Sequence, residues 1–277
     1  MNIHELFARM DKELGRHWAH AQSTKERELL HAAMDVRDFI SSSGQLYAFE
    51  DFRERLNAGR PPDANVSSRF PAALKSKVVE VLTRLRDSAQ LPEEKNAVQS
   101  IMDTLEFVDV TGQYPALEDY LKRRQEGAPP RVTASFKSRE EAEDWLLKHP
   151  SPPSSALVLI GDQYHQAFCF REINHRKIQP WPAMEYFLAD LRQGEPPVPI
   201  ASFGSREEAE DWLKAQLAPP ERAWVSIAGE LYLAVHHSNV NHRALYPLSM
   251  AEGYEVNYEV EPEKPPTPPG APLPSSG

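Results

Sequence analysis

Ala134-Ser135-Phe136-Lys137-Ser138-Arg139-Glu140-Glu141-Ala142-Glu143-Asp144-Trp145-Leu146 is written a second time as Ala201-Ser202-Phe203-Gly204-Ser205-Arg206-Glu207-Glu208-Ala209-Glu210-Asp211-Trp212-Leu213. The match runs on without a gap, so residues 114–180 recur as 181–247. Tyr114-Pro115-Ala116-Leu117-Glu118 answers Trp181-Pro182-Ala183-Met184-Glu185, and Asn174-His175-Arg176 answers Asn241-His242-Arg243. A fixed period marks each copy as one supersecondary block that buries its apolar face against a neighbour. What the copies share is scaffold first, so function is sought where they part.

Each unit opens with a helix that stops at a glycine and two prolines, Gly127-Ala128-Pro129-Pro130 in the first copy. Val132 to Phe136 alternates like a half-buried strand. Ser138 with Glu141, and Ser205 with Glu208, then form capping boxes that start a second helix. Its Ala142, Trp145 and Leu146 face inward, while Glu140, Glu143 and Asp144 face water. After Pro152-Pro153 come strands at Ala156–Ile160 and Gln163–Arg171, joined by a turn at Gly161-Asp162. The unit therefore reads α-β-α-β-β. Taken from 131 to 203 the order is β-α-β-β-α-β, the ferredoxin-like element order, which implies antiparallel sheets with helices on one face. The fold class is α+β. Whether the units close individually or share one sheet stays open at this level.

Residues 1–113 form a helical region. Ile3, Leu6, Phe7, Met10, Leu14 and Trp18 share one helix face, and Ser23-Thr24-Lys25-Glu26 is a capping box for a second stretch through Leu30, Ala33, Val36 and Ile40. Two more follow, through Leu74, Val78, Leu82 and Leu85 and from Pro92 to Val108, packing as a bundle or around the repeats. Residues 48–62 hold a relic of the repeat: Ala48-Phe49-Glu50-Asp51-Phe52, closing in Gly59-Arg60-Pro61-Pro62. Its strand-bearing part is missing, and the helical pair at 72–108 stands in its place. The domains are thus 1–113, 114–180 and 181–247, with an edge strand in 248–260 (Tyr254–Val260) and a proline-rich, disordered tail at 261–277.

The 277 residues carry a formal charge of -10, which opposes a phosphate backbone and disfavours nucleic acid. No apolar run reaches the roughly 20 residues a membrane span requires, and the opening residues do not resemble a signal peptide. A single cysteine, Cys169, excludes an internal disulfide and reads as a small buried hydrophobe. The expectation is a cytoplasmic protein without membrane contact.

The matched His175-Arg176 and His242-Arg243 are the first candidates for chemistry, because two imidazoles and two guanidinium groups meeting across a pseudo-two-fold would hold an anion or a carboxylate. The competing reading is structural, with Asn174 and Asn241 in left-handed turns and each arginine paired with the nearby acidic helix. His236 and His237 are strand neighbours, point to opposite faces and cannot share an ion. His165 and Cys169 lie about 13 Å apart along a strand. Metal bonds are about 2.0–2.3 Å long, so that pair is no site either. The motifs of nucleophile elbows, P-loops, dinucleotide-binding loops and metalloprotease helices are absent. The expectation is neither an enzyme nor a holder of a metal or cofactor. Trp145, Trp212, Tyr114 and Trp181 recur in register and read as core pins. Trp224, Tyr232 and Tyr246 stand where the first copy has Leu157, His165 and Gln179. With His236 and His237 they make the second unit's strand pair the expected contact surface, and His175, Arg176, His242 and Arg243 complete the expected partner-binding set.

The Val132–Leu146 block resembles the first strand and helix of the SPOR peptidoglycan-binding family; without that family's export signal, its activity is not transferred. The whole arrangement resembles a bacterial family with tandem copies of such a unit behind a helical N-terminus, some described as phage-head-like, for which no activity is implied. The favoured expectation is a non-catalytic protein-binding module, an immunity protein or intracellular inhibitor or regulator, whose negative charge steers a basic partner protein toward it. The alternatives are a small-molecule or metal site between the repeats, as in tandem glyoxalase-like modules, and a structural protein that self-associates through strand edges.

Overall fold

The computed structural model describes residues 2–60, 70–194 and 197–254. Its helices α1 (Ile3–Ala19), α2 (Thr24–Ser42), α3 (Leu46–Asn57), α4 (Ala72–Ser88), α5 (Pro92–Val110) and α6 (Tyr114–Gln125) pack around one core. Phe49 sits within it with ring centroids of Phe7 and Phe107 at 5.7 Å. The relic segment supplies α3. Helix α6 opens the first repeat in sequence yet buries Leu117 in this helical core.

The first unit continues with β1 (Ala134–Phe136), α7 (Arg139–Lys148), β2 (Ser155–Ile160), β3 (Gln163–Phe170) and β4 (His175–Pro180). The second repeats it with α8 (Ala183–Leu191), β5 (Ala201–Phe203), α9 (Arg206–Ala215), β6 (Arg222–Ile227), β7 (Glu230–His237) and β8 (His242–Pro247). The α+β class is therefore observed, and each unit closes its own four-stranded sheet, ordered β1-β2-β3-β4 and β5-β6-β7-β8.

Three details depart from the sequence expectation. The sheets are mixed, since β1 runs parallel to β2 (Ala134 opposite Val158), as a strand pair bridged by a crossover helix must. A fourth strand follows the turn at Arg171–Ile173, so the unit closes as β-α-β-β-β and does not borrow a strand in the ferredoxin manner. Helices cover both faces of the second sheet. There α9 packs Ala209 and Leu213 on Val225, Ala234 and Leu245, while α8 brings Met184 and Leu188 onto Leu233, Val235, Ala244 and Tyr246. The corresponding first-unit positions are Gln166, Phe168, Lys177 and Gln179. With Phe168 as its one apolar member, that set offers α8 far less apolar surface than Leu233, Val235, Ala244 and Tyr246, and α8 lies on the second sheet.

The caps also differ by one residue. Ser23, Ser138 and Ser205 accept the expected amides of Glu26, Glu141 and Glu208. The glutamates return not to the serine but to the amide before it, of Gln22, Lys137 and Gly204 at 3.0, 2.9 and 2.9 Å.

The units stack head to tail. In the first, the backbone of Ser154 donates to Gly44 O at 2.9 Å, and the β3–β4 turn docks on α3. Tyr47 accepts from the Arg171 amide and donates to Glu172, each at 3.0 Å. In the second, the same turn docks on the first unit: Asn239 donates to Val132 O at 2.6 Å, and His242 lies 3.1 Å from Ser135 and 2.9 Å from Asp162. One surface of the unit thus meets two different receivers, a heterologous arrangement and not the pseudo-two-fold that a shared His-Arg site would need. Of the edge strand expected at Tyr254–Val260 only Tyr254 is described, following a 3₁₀ turn at Leu248–Ala251; the tail 261–277 and Pro61-Pro62 fall outside the described residues.

Candidate site at the repeat junction

The duplicated charged residues serve the scaffold. Asn174 and Asn241 occupy the left-handed region at φ 47° and 49°, reversing the chain into β4 and β8 as their side chains permit. Arg176 then donates to the carbonyls of Leu146 and Leu147 at the end of α7. Arg243 donates to those of Leu213, Lys214 and Gln216 at 2.8, 2.7 and 3.1 Å, at the end of α9. A cation on unpaired C-terminal carbonyls also meets the negative end of the helix dipole. The arginines therefore pair with helix ends and not with the acidic faces, whose Glu140, Glu143 and Asp144 are exposed.

The two matched histidines have unlike neighbours. His175 is exposed and stacks on Phe170 with centroids 6.2 Å apart, while His242 bridges the units through Ser135 and Asp162. Each therefore faces its own surroundings across a heterologous contact, and the convergence required by a shared ion or anion does not arise. Among the described residues, no three His, Cys, Asp or Glu side chains are grouped to hold a metal.

The expected partner-binding residues lie at several depths. Trp224 is half-buried against the junction core, and Tyr232, half-buried, bonds Glu230 at 3.3 Å. His236 is half-buried on the α9 side of its sheet. His237, 3% exposed, shares a 3.0 Å hydrogen bond with Tyr164. Its pKa is pushed down to about 4, chiefly by burial and then by nearby His242 and Arg123. Cys169 is buried, and burial pushes its thiol up. Trp145 and Trp212 do pin their units, each 5.4 Å from Phe136 or Phe203.

Trp181 departs from its reading as a core pin. Its counterpart Tyr114 packs on Phe70 at 4.9 Å, inside the helical region. Among the described residues no second bundle covers the second unit, and Trp181 stays 40% exposed at the turn from β4 into α8.

Trp181 stands at the rim of a cleft of about 260 Å³ between the units. The walls come from the β2–β3 turn (Asp162, Gln163, Tyr164), the start of α8 (Met184, Glu185), and Tyr246, Met250 and Tyr254 of the second unit. Tyr246 is only 2% exposed, and its hydroxyl has no hydrogen-bond partner among the described residues. Burial pushes that phenol's pKa well up, and the charges of Asp162 and Glu185 push it further. Asp162 already meets His242 at 2.9 Å and Arg206 at 3.6 Å. Glu185 is half-buried and has no ion pair among the described residues. Chemically the cleft offers aromatic faces, one unspent carboxylate and one unspent hydroxyl.

Sequence reasoning reached Tyr246 through its divergence from Gln179 but missed Asp162, Glu185, Trp181, Met250 and Tyr254. They come from segments that meet only when the second unit docks on the first. No family model, curated protein or solved structure matches the chain.

Proposed function

We propose that the chain is a non-catalytic binding protein that holds a basic partner protein at the junction of its two repeats, as an immunity protein or an intracellular inhibitor holds its target. One observation carries this reading. Arg176, Arg243 and His242 of the duplicated corners are spent on the fold, while the junction cleft keeps an exposed indole, an unpaired carboxylate and an unpartnered hydroxyl. Interface anchors are typically aromatic side chains beside a few unsatisfied polar groups. The formal charge of -10 supports the choice of a basic partner, through faster and more selective encounter. Among the described residues no helix is long and apolar enough to cross a membrane. The cytoplasm remains part of the proposal.

The test is capture from native lysate on the immobilised full-length chain. A stoichiometric basic protein is expected, retained at physiological salt and weakened as salt screens the charges. It should be lost when Trp181→Ala and Glu185→Lys are combined. Absence of a stoichiometric partner, or its full retention by the double variant, would overturn the reading.

A further inference from the structure

We propose that the junction cleft is a socket for a single arginine side chain presented by the partner, an inference that rests on the binding role above and specifies its chemistry. Size comes first. Sites for cofactors and drug-sized ligands occupy about 300–1,000 Å³. At about 260 Å³ this cleft is below that range and suits one side chain.

Charge comes second. No lysine or arginine lines the cleft among the described residues, and its only carboxylates are Asp162 and Glu185. An anionic side chain would be repelled by Glu185, and an apolar one would leave that carboxylate desolvated without a partner. That desolvation is costly for a neutral group and more so for a charged one.

Donor geometry selects arginine over lysine. Guanidinium is flat, carries five N–H donors and no acceptor, and stacks on aromatic faces. The cleft offers it the complement: acceptor oxygens on Glu185 and on the buried, unpartnered Tyr246, with the indole of Trp181 at the rim. Tyr254, which meets Tyr186 edge-on at 5.3 Å, closes the second aromatic side. Ammonium is a compact, strongly hydrated charge that uses neither the plane nor the fork.

The experiment titrates Nα-acetyl-arginine methylamide into the full-length protein, following the Trp181 indole N–H and the Met250 methyl by NMR. Trp181→Phe assigns the indole signal. A saturable shift at both positions is expected. The uncharged isostere Nα-acetyl-citrulline methylamide should give none, and the lysine analogue should bind more weakly. Glu185→Gln should weaken the arginine probe roughly ten- to hundredfold, the range of a charge-assisted hydrogen bond. Tyr246→Phe should weaken it several-fold while leaving the fold stable, because it removes only a hydroxyl that has no partner. No saturable shift at Trp181, or equal binding of the citrulline probe, overturns the socket. If the arginine probe fails while a basic partner is still captured through the cleft, the socket falls and the binding role stands; if both fail, both fall.

Discussion

At the scale of single residues, Gly44 and His237 decide how the parts are held. Gly44 has φ +73°, and a Cβ there would lie 2.4 Å from Ser155 O and 2.6 Å from Pro153 Cβ. Both neighbours belong to the first unit and one is backbone, so neither yields cheaply. Gly44→Ala is expected to cost roughly 2–4 kcal/mol in urea unfolding, from the left-handed strain together with overpacking. Gly59→Ala, at φ +66° with nothing within 4 Å among the described residues, should show only the strain, about 1–2 kcal/mol. His237 gives a pH signature. Its folded pKa of about 4 lies below the ordinary 6.5, so the unfolded chain takes up the proton first as pH falls. Its contribution is whole above pH 6.5 and drains away towards pH 4, by at most about 3 kcal/mol. Urea midpoints at pH 7.5, 6 and 5 should trace that decline, and His237→Gln, which does not titrate, should flatten it.

At the scale of elements, the β3–β4 and β7–β8 corners are the same device built twice. A left-handed asparagine turns the chain, and the next-but-one residue, arginine, closes the end of the preceding helix. Arg176→Ala and Arg243→Ala are each expected to lower stability by about 1–2 kcal/mol, from lost carbonyl bonds and lost dipole compensation. The two losses should be similar, and partner capture should persist in whichever variant stays folded. A loss of binding without loss of stability would mark either arginine as a contact residue instead. These corners also show what the sequence disclosed. Periodicity and caps revealed the helices, β2, β3 and the doubling, because apolar spacing is strong there. Strand β4 was hidden because Ile178 is its one buried residue in His175–Pro180; its hydrogen bonds to β3, not its side chains, make it a strand. Its copy buries Ala244, Leu245 and Tyr246, an apolar run too short to separate from loop by pattern alone. Trp181 was misread because copying fixes a residue's place in its unit but not what the next unit lays over it.

At the scale of the whole molecule, four hydrophobic cores are joined in sequence: helical bundle, first sheet, shared junction, second sheet. The junction core is apolar and draws on both units, through Val132, Leu159 and Tyr164 of the first and Leu233 and Val235 of the second, and polar bridges flank it. His242→Ala removes the bridge to Ser135 and Asp162. Amides of β7 and β8 should then exchange with deuterium roughly tenfold faster, the equivalent of one or two neutral hydrogen bonds, while those of α2 to α5 keep their rates. Uniform acceleration over the chain would instead mean that the protein opens as one cooperative block.

The turn that receives His242 has an unequal twin. Where the first unit places Asp162, the second has Gly229, and the serine beside it, Ser202, lies bare to solvent. The histidine is thus present on both units, His175 and His242, but the carboxylate that receives it stands on the first alone. A histidine docked there in the manner of His242 would find glycine in place of a carboxylate, so the grip between the two units is written in one β-turn.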